Sequence, residues 1–151
     1  MSKTARGARS SAAAEIGRDC LAVRLRVLNR RITRLYDTAL RPHGLTIAQL
    51  NLLTSIANAQ PVRAGRLAVT LSMEISTLSR NVHLMGREGW IEVAHTERGN
   101  GRLLTLTPAG AAKLDELEPS WRDAQRRARE LLGEDAVASI MGRGDELLAT
   151  P

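Results

Sequence analysis

Between Leu78 and Leu106 the apolar residues change from steps of three and four to steps of two, and this switch constrains the fold more than any other feature of the chain. Leu78, Val82 and Met85 repeat as one face of a helix, which Gly89 closes. Ile91 and Val93 then alternate with Glu92 and Ala94, and Arg102-Leu-Leu-Thr-Leu106 follows the stretch Thr96-Glu-Arg-Gly-Asn-Gly101. Alternation on both sides of a glycine-rich tip predicts a β-hairpin, with Asn100-Gly101 supplying the positive φ of a tight turn.

Helices are expected on either side. Leu21, Leu25, Leu28, Ile32, Leu35 and Ala39 form one stripe, which predicts a single helix from about Ala13 to Leu40, ending before Pro42 and Gly44. Val23 and Val27 add a second apolar row. Thr46-Ile-Ala-Gln49 has the form of a capping box, flanked by Leu45 and Leu50 at hydrophobic-staple positions. The helix it opens should bury Ile47, Leu50, Leu53 and Ala57 and stop near Asn58. Two short helices follow, Arg63 to Thr70 and Glu74 to Glu88, joined by the turn Leu71-Ser-Met-Glu74, with Glu74 as cap. Thr107-Pro108 opens another helix. Its stripe is Leu114, Leu117, Trp121, Ala124, Ala128 and Leu131, with Pro119 expected to kink or divide it and Gly133 to end it. A last helix spans about Glu134 to Leu148.

The fold class expected is mainly α, a winged helix-turn-helix with a small hairpin wing and terminal helices. The 151 residues suit one domain. Aromatic residues are 2% of the chain and Phe is absent, so the core must be aliphatic, which disfavours a β-sandwich. Within that domain, 1–13 read as a mobile basic tail, 14–41 and 108–149 as dimerisation helices, and 45–107 as the winged core. The terminal helices carry more apolar stripe than a chain this size can cover alone, so a homodimer is expected.

Lys and Arg number 22 against 16 Asp and Glu, a net charge of +6. The excess suits an anionic partner, a nucleic acid or a membrane surface. No apolar run reaches the roughly 18 residues of a membrane span, the first residues lack a signal peptide's apolar stretch, and Cys20 is the only cysteine. A cytoplasmic protein without a membrane partner is expected.

Taken together, the order is helix-turn-helix followed at once by a wing. In such an arrangement the second helix of the pair enters the major groove of double-stranded DNA. At about 100° per residue, the face opposite Leu78, Val82 and Met85 carries Ser76, Arg80, His83 and Arg87, flanked by Thr77 and Ser79. Short polar side chains allow close approach to base edges, and an arginine one turn on can reach guanine or phosphate. Arg98, Asn100 and Arg102 lie at the wing, where small residues let a thin loop approach a groove and arginine is drawn to the minor groove.

The stretches LAVTLSMEISTLSRNVHLMGREGWIEV and ERGNGRLLTLTPAGAAKL resemble the core of the MarR family of transcriptional regulators, from about Leu45 to Leu114. A weaker likeness extends over CLAVRLRVLNRRITRLYDTALRPHGLT. The resemblance implies a homodimer, held by the terminal helices, whose recognition helices read a palindromic operator. It also implies repression, released by a small-molecule effector or by oxidation of a cysteine. The family's wing commonly has an Asp-x-Arg motif. Here the tip reads Glu97-Arg-Gly-Asn-Gly-Arg102, so Glu97 or Asn100 stands for the aspartate and either Arg98 or Arg102 is the groove-entering arginine.

Other features read more plainly. Cys20 on an apolar helix reads first as a small buried hydrophobe, with redox sensing as the alternative. Arg24, Arg26, Arg30, Arg31 and Arg34 read as a solvated face before a DNA flank or an acidic-ligand site. Trp121 reads as core or interface before a ligand shelf. His43, His83 and His95 are scattered, so no metal site is expected, nor any cofactor. No phosphate loop, metal cluster or nucleophile–base spacing points to an enzyme. The competing reading is a winged-helix dimerisation or protein-interaction module that no longer binds DNA; the basic outer face of the second helix argues against it.

Overall fold

The computed structural model describes residues 10–95 and 101–149. The chain forms two compact units, Met1–Arg34 and Leu35–Pro151. In the first, Ser10 accepts a hydrogen bond from the Ala13 amide and so starts α1 (Ser11–Asp19) two residues before the expected helix. The single helix expected from Ala13 to Leu40 is broken at Cys20, where ψ is 105°, and α2 (Leu21–Leu40) begins after it. The Arg24 guanidinium donates to the carbonyls of Cys20, at 2.9 Å, and Arg18, so a side chain serves backbone acceptors at the break. The apolar side chains Ile16, Leu21, Val23, Leu25, Val27 and Leu28 are all exposed.

In the second unit α2 runs out at Leu40 into a 3-10 turn, Arg41–His43, and Gly44 reverses the chain at φ 76°. α3 (Ile47–Ala59) opens with both halves of the expected capping box: Gln49 N donates to Thr46 Oγ1 and Thr46 N to Gln49 Oε1. Asp37 adds a further acceptor for the Ile47 amide at 2.8 Å. Leu45 and Leu50 are buried as the staple requires. Leu52 and Ile56, outside the expected face, are fully buried, while Ile47 and Ala57 are only half-buried. The difference arises because α3 has partners on two sides, β3 and α6.

A two-residue strand, β1 (Val62–Arg63), precedes α4 (Ala64–Thr70). It is too short to show alternation and exists only because Val62 pairs with Leu104. The turn expected after α4 passes through Ser72 at φ 48° to α5 (Ile75–Arg87). Glu74 is the N-cap residue, as expected, but its side chain makes no capping hydrogen bond. The expected hairpin is β2 (Ile91–His95) and β3 (Arg102–Leu106), antiparallel, with Ile91 opposite Leu106 and His95 opposite Arg102. The sheet order is β1-β3-β2.

Thr107 caps α6 (Pro108–Leu132) through the Gly110 amide at 3.0 Å. α6 runs through Pro119 without dividing. Asp115, whose carbonyl loses its helical donor there, and Pro119 are both exposed, on the side of the helix open to solvent; Leu117, Ala124 and Ala128 hold the helix from its buried side. Gly133, at φ 81°, ends it, and α7 (Glu134–Ala149) follows.

The core is aliphatic, as the composition requires. Leu52, Leu53, Ile56, Leu78, Val82, Met85 and Leu104 fill its centre, and Leu40, Leu45, Leu50 and Leu117 form a second cluster. No buried polar side chain occurs among the described residues. No helix there is long and apolar enough to cross a membrane.

Candidate nucleic-acid interface

α5 owes its orientation to one apolar face. Leu78, Val82 and Met85 are at most 2% exposed and tie it to the core. The opposite face is therefore turned outward. Ser76, Arg80, His83 and Arg87 are exposed, and Thr77 and Ser79 are half-buried at its margins. Short side chains occupy the first turn and basic ones the next two. Ile75 stands exposed beside them, an apolar group among polar ones.

Arg80 lies back along its own helix. Its Nε donates to the Ser76 carbonyl and its Nη2 to Thr77 Oγ1, each at 3.3 Å. Ser76, Thr77 and Arg80 thus form one cluster on the surface. Ser79 is joined to the hairpin instead: Arg102 Nη2 donates to Ser79 Oγ at 3.2 Å. The wing and the helix are brought side by side, and a Cβ added at Gly86 would lie 3.9 Å from Val93 Cγ2. Arg98 and Asn100 lie outside the described residues.

Sequence reasoning missed one contact of this face. Gln49 Nε2 donates to Asn81 Oδ1 at 3.4 Å, so the residue that closes the α3 capping box also holds α5. Only tertiary packing reveals the pair, which lies 32 residues apart.

The remaining candidates fall elsewhere. Cys20 is half-buried at the junction of α1 and α2. In the cationic stretch, Arg24 is occupied by backbone carbonyls, and Arg26, Arg30 and Arg31 are exposed. His43 is bound by Glu116 and Ser120, each at 2.8 Å. No group of three or more His, Cys, Asp or Glu side chains among the described residues could hold a metal ion. Trp121 is 37% exposed and walls a cavity of about 570 Å³ with Leu50, Thr54, Leu114 and Leu117, between α3 and α6.

Comparison with known proteins supports the architecture independently. No family model matches the chain. The multiple antibiotic resistance protein MarR of Salmonella typhimurium is 28% identical over 116 residues, 76% of this chain and 81% of that protein. MarR of Escherichia coli is 27% identical over 118 residues, 77% and 82% of the two chains. Among solved structures, a cysteine-to-serine mutant of E. coli MarR complexed with operator DNA matches with a TM-score of 0.75 and 25% identity, covering 88% of this chain and 96% of that one. The transcriptional regulator MosR of M. tuberculosis in complex with DNA matches with a TM-score of 0.70 and 29% identity, over 87% and 98%. The same order of helices, turn and hairpin and the same relatives by sequence and by fold lead to one assignment: the chain belongs to the MarR family of winged-helix transcriptional regulators.

Proposed function

We propose that this regulator binds double-stranded DNA in a sequence-specific manner, with α5 in the major groove and the β2–β3 wing beside it. The observation behind this reading is the outward face of α5. A helix anchored by Leu78, Val82 and Met85 presents Ser76, Arg80 and His83 to solvent, with Thr77 half-buried at the margin and the hairpin joined alongside. That is the geometry a duplex reader needs: small polar groups close to base edges, then longer cations. A protein-interaction module has no use for a basic face at this place. The MarR and MosR relatives solved with DNA support the same reading, and the family is one of regulators, not enzymes.

In this reading Ser76, Thr77, Arg80 and His83 face the bases and backbone of the major groove, and Arg98 and Asn100 approach the minor groove from the wing tip. Ser79 and Arg102 stand beside this interface, joined to each other. Residues 45–107 are the DNA-binding core, and 14–41 and 108–149 build a homodimer that reads a palindromic operator as a repressor in the cytoplasm. For the small-molecule effector that the family resemblance implies, the cavity walled by Trp121 is our proposed site. Cys20 stays outside the reading.

Substituting Arg80 tests it. A bidentate arginine–base contact is worth about 1–3 kcal/mol, and a dimer makes it twice. Arg80→Ala, folded by circular dichroism, should bind the operator selected from random duplexes at least ~tenfold more weakly while losing less on random DNA. If it binds as tightly as the parent, α5 is not the reader. If the parent prefers no sequence, the protein-interaction reading replaces this one.

A further inference from the structure

We propose that Arg102 and Ser79 form a brace that sets the angle between the wing and the reading helix, and that Arg102 acts in DNA recognition through this brace and not by touching DNA. The inference rests on the DNA-binding reading above and assigns these two residues a part within it.

Strand geometry carries the argument. Side chains on one face of a strand alternate, so Arg102 shares its face of β3 with Leu104 and Leu106. That face is turned to the core. Leu104 is fully buried and Leu106 packs against the same cluster. Arg102 extends this row beyond the end of the core, where the neighbour it meets is α5. Arg102 is half-buried, and its guanidinium donates to Ser79 Oγ at 3.2 Å. A side chain leaving the inner face of the hairpin points at the protein, whereas a groove-entering arginine must leave the tip or the outer face.

The contact also has a mechanical sense. The hairpin approaches α5 near Gly86, where an added Cβ would lie 3.9 Å from Val93 Cγ2. The base of the hairpin is held by the buried Leu104 and by pairing with β1, so what a further tether fixes is the course of its outer end beside α5. Ser79 lies seven residues earlier, two helical turns or about 10 Å along α5. On the strand, Arg102 lies two residues beyond Leu104, the partner of Val93. A tether at that distance fixes the angle at which the outer end of the wing stands to the helix. A two-fold dimer must seat two helices and two wings on one duplex together, so loss of a defined angle costs affinity without removing any DNA contact.

The opposing expectation, that Arg102 contacts the minor groove or a phosphate, makes different demands. A lost phosphate contact lowers the slope of log K against log salt by roughly 0.9 per contact, whereas a lost brace leaves it unchanged. The experiment is a double-mutant cycle of Ser79→Ala, Arg102→Ala and the pair, read by fluorescence anisotropy on the selected operator across a salt series. Hydrogen exchange of the DNA-free proteins is measured alongside. We expect each single variant to bind about five- to tenfold more weakly, the pair to bind no more weakly than either single variant, and the salt slope to stay at the parent value. Without DNA, both single variants should speed amide exchange in Ile91–His95 and Arg102–Leu106 equally. Additive losses, or a reduced slope for Arg102→Ala with Ser79→Ala like the parent, would overturn the brace and place Arg102 on DNA. Unchanged exchange in both variants would overturn it as well. If the parent selects no operator, the DNA-binding reading fails, yet the exchange arm still decides whether the two residues brace the wing.

Discussion

At the scale of single residues, Gly110 shows how closely the wing is seated on the helix that follows it. A Cβ added there would lie 2.1 Å from the Trp90 carbonyl oxygen and 2.7 Å from Leu106 Cδ1. The carbonyl cannot retreat, because it also accepts from the Thr107 amide at 3.0 Å. Gly110→Ala should therefore destabilise the protein by about 1–3 kcal/mol or more, as overpacking does in a close-packed interior. The midpoint of urea unfolding measures this, and Gly142→Ala, where a Cβ meets nothing within 4 Å, is the control. Equal midpoints for the two variants would show that the Trp90–Gly110 approach is not tight. Arg80 makes a contrasting case. Its two hydrogen bonds to Ser76 and Thr77 are made on the surface, where water competes for them. They cost little to exchange for base contacts, so the same side chain can rest on its helix and still be available to read.

At the scale of elements, one clasp joins the turn after α2 to α6. His43 Nδ1 bonds Glu116 Oε1 and its Nε2 bonds Ser120 Oγ, each at 2.8 Å. Lys113 reaches Glu116 at 3.1 Å and lies 5.6 Å from the centre of the Trp90 ring. The hydrogen bond from His43, then that from Lys113, hold the Glu116 carboxyl below its ordinary range. A lowered carboxylate contributes stability that is fully present above its unfolded pKa and lost as pH falls through the folded one. Glu116 is solvent-exposed, so the effect is modest. Thermal unfolding of the parent and Glu116→Gln should differ most near neutral pH, and the two melting curves should converge as acid protonates the carboxylate. A difference that stays constant across that range would mean that the clasp works by shape, not charge. Elements also account for what sequence reading overlooked. β1 has no pattern of its own, and the break at Cys20 leaves the apolar spacing of α1 and α2 undisturbed, because a stripe reports which residues are apolar and not whether the backbone between them stays helical.

At the scale of the whole molecule, the apolar surface is unevenly covered. Leu21, Val23 and Leu25 in the first unit are more than half exposed, and so are Ile140, Met141, Leu147 and Leu148 on α7. On α7 only Val137 is buried. Exposed apolar area on this scale marks an interface. Light scattering should give twice the 16.4 kDa of one chain at micromolar concentration, with an interface above about 2,000 Å². A mass of one chain would end the two-fold arrangement on which the palindrome reading depends.

Much of this architecture was legible locally. The capping box at Thr46 and Gln49, the Thr107-Pro108 start, the glycines at 44, 89 and 133 and the two alternating strands act over a few residues, where hydrogen bonding and steric limits depend on nearest neighbours alone. The outward face of α5 followed from the same local rule, since helical period separates Leu78, Val82 and Met85 from Ser76, Arg80 and His83. What long-range packing alone could set was the company each side chain keeps. Leu52 and Ile56 are buried because α3 is covered on two sides. Gln49 meets Asn81, His43 meets Glu116, and Arg102 meets Ser79 across 32, 73 and 23 residues. Such pairs leave no periodic trace, because a side chain's reach into another element depends on how the core seats both backbones, and that seating is a property of all the buried residues together.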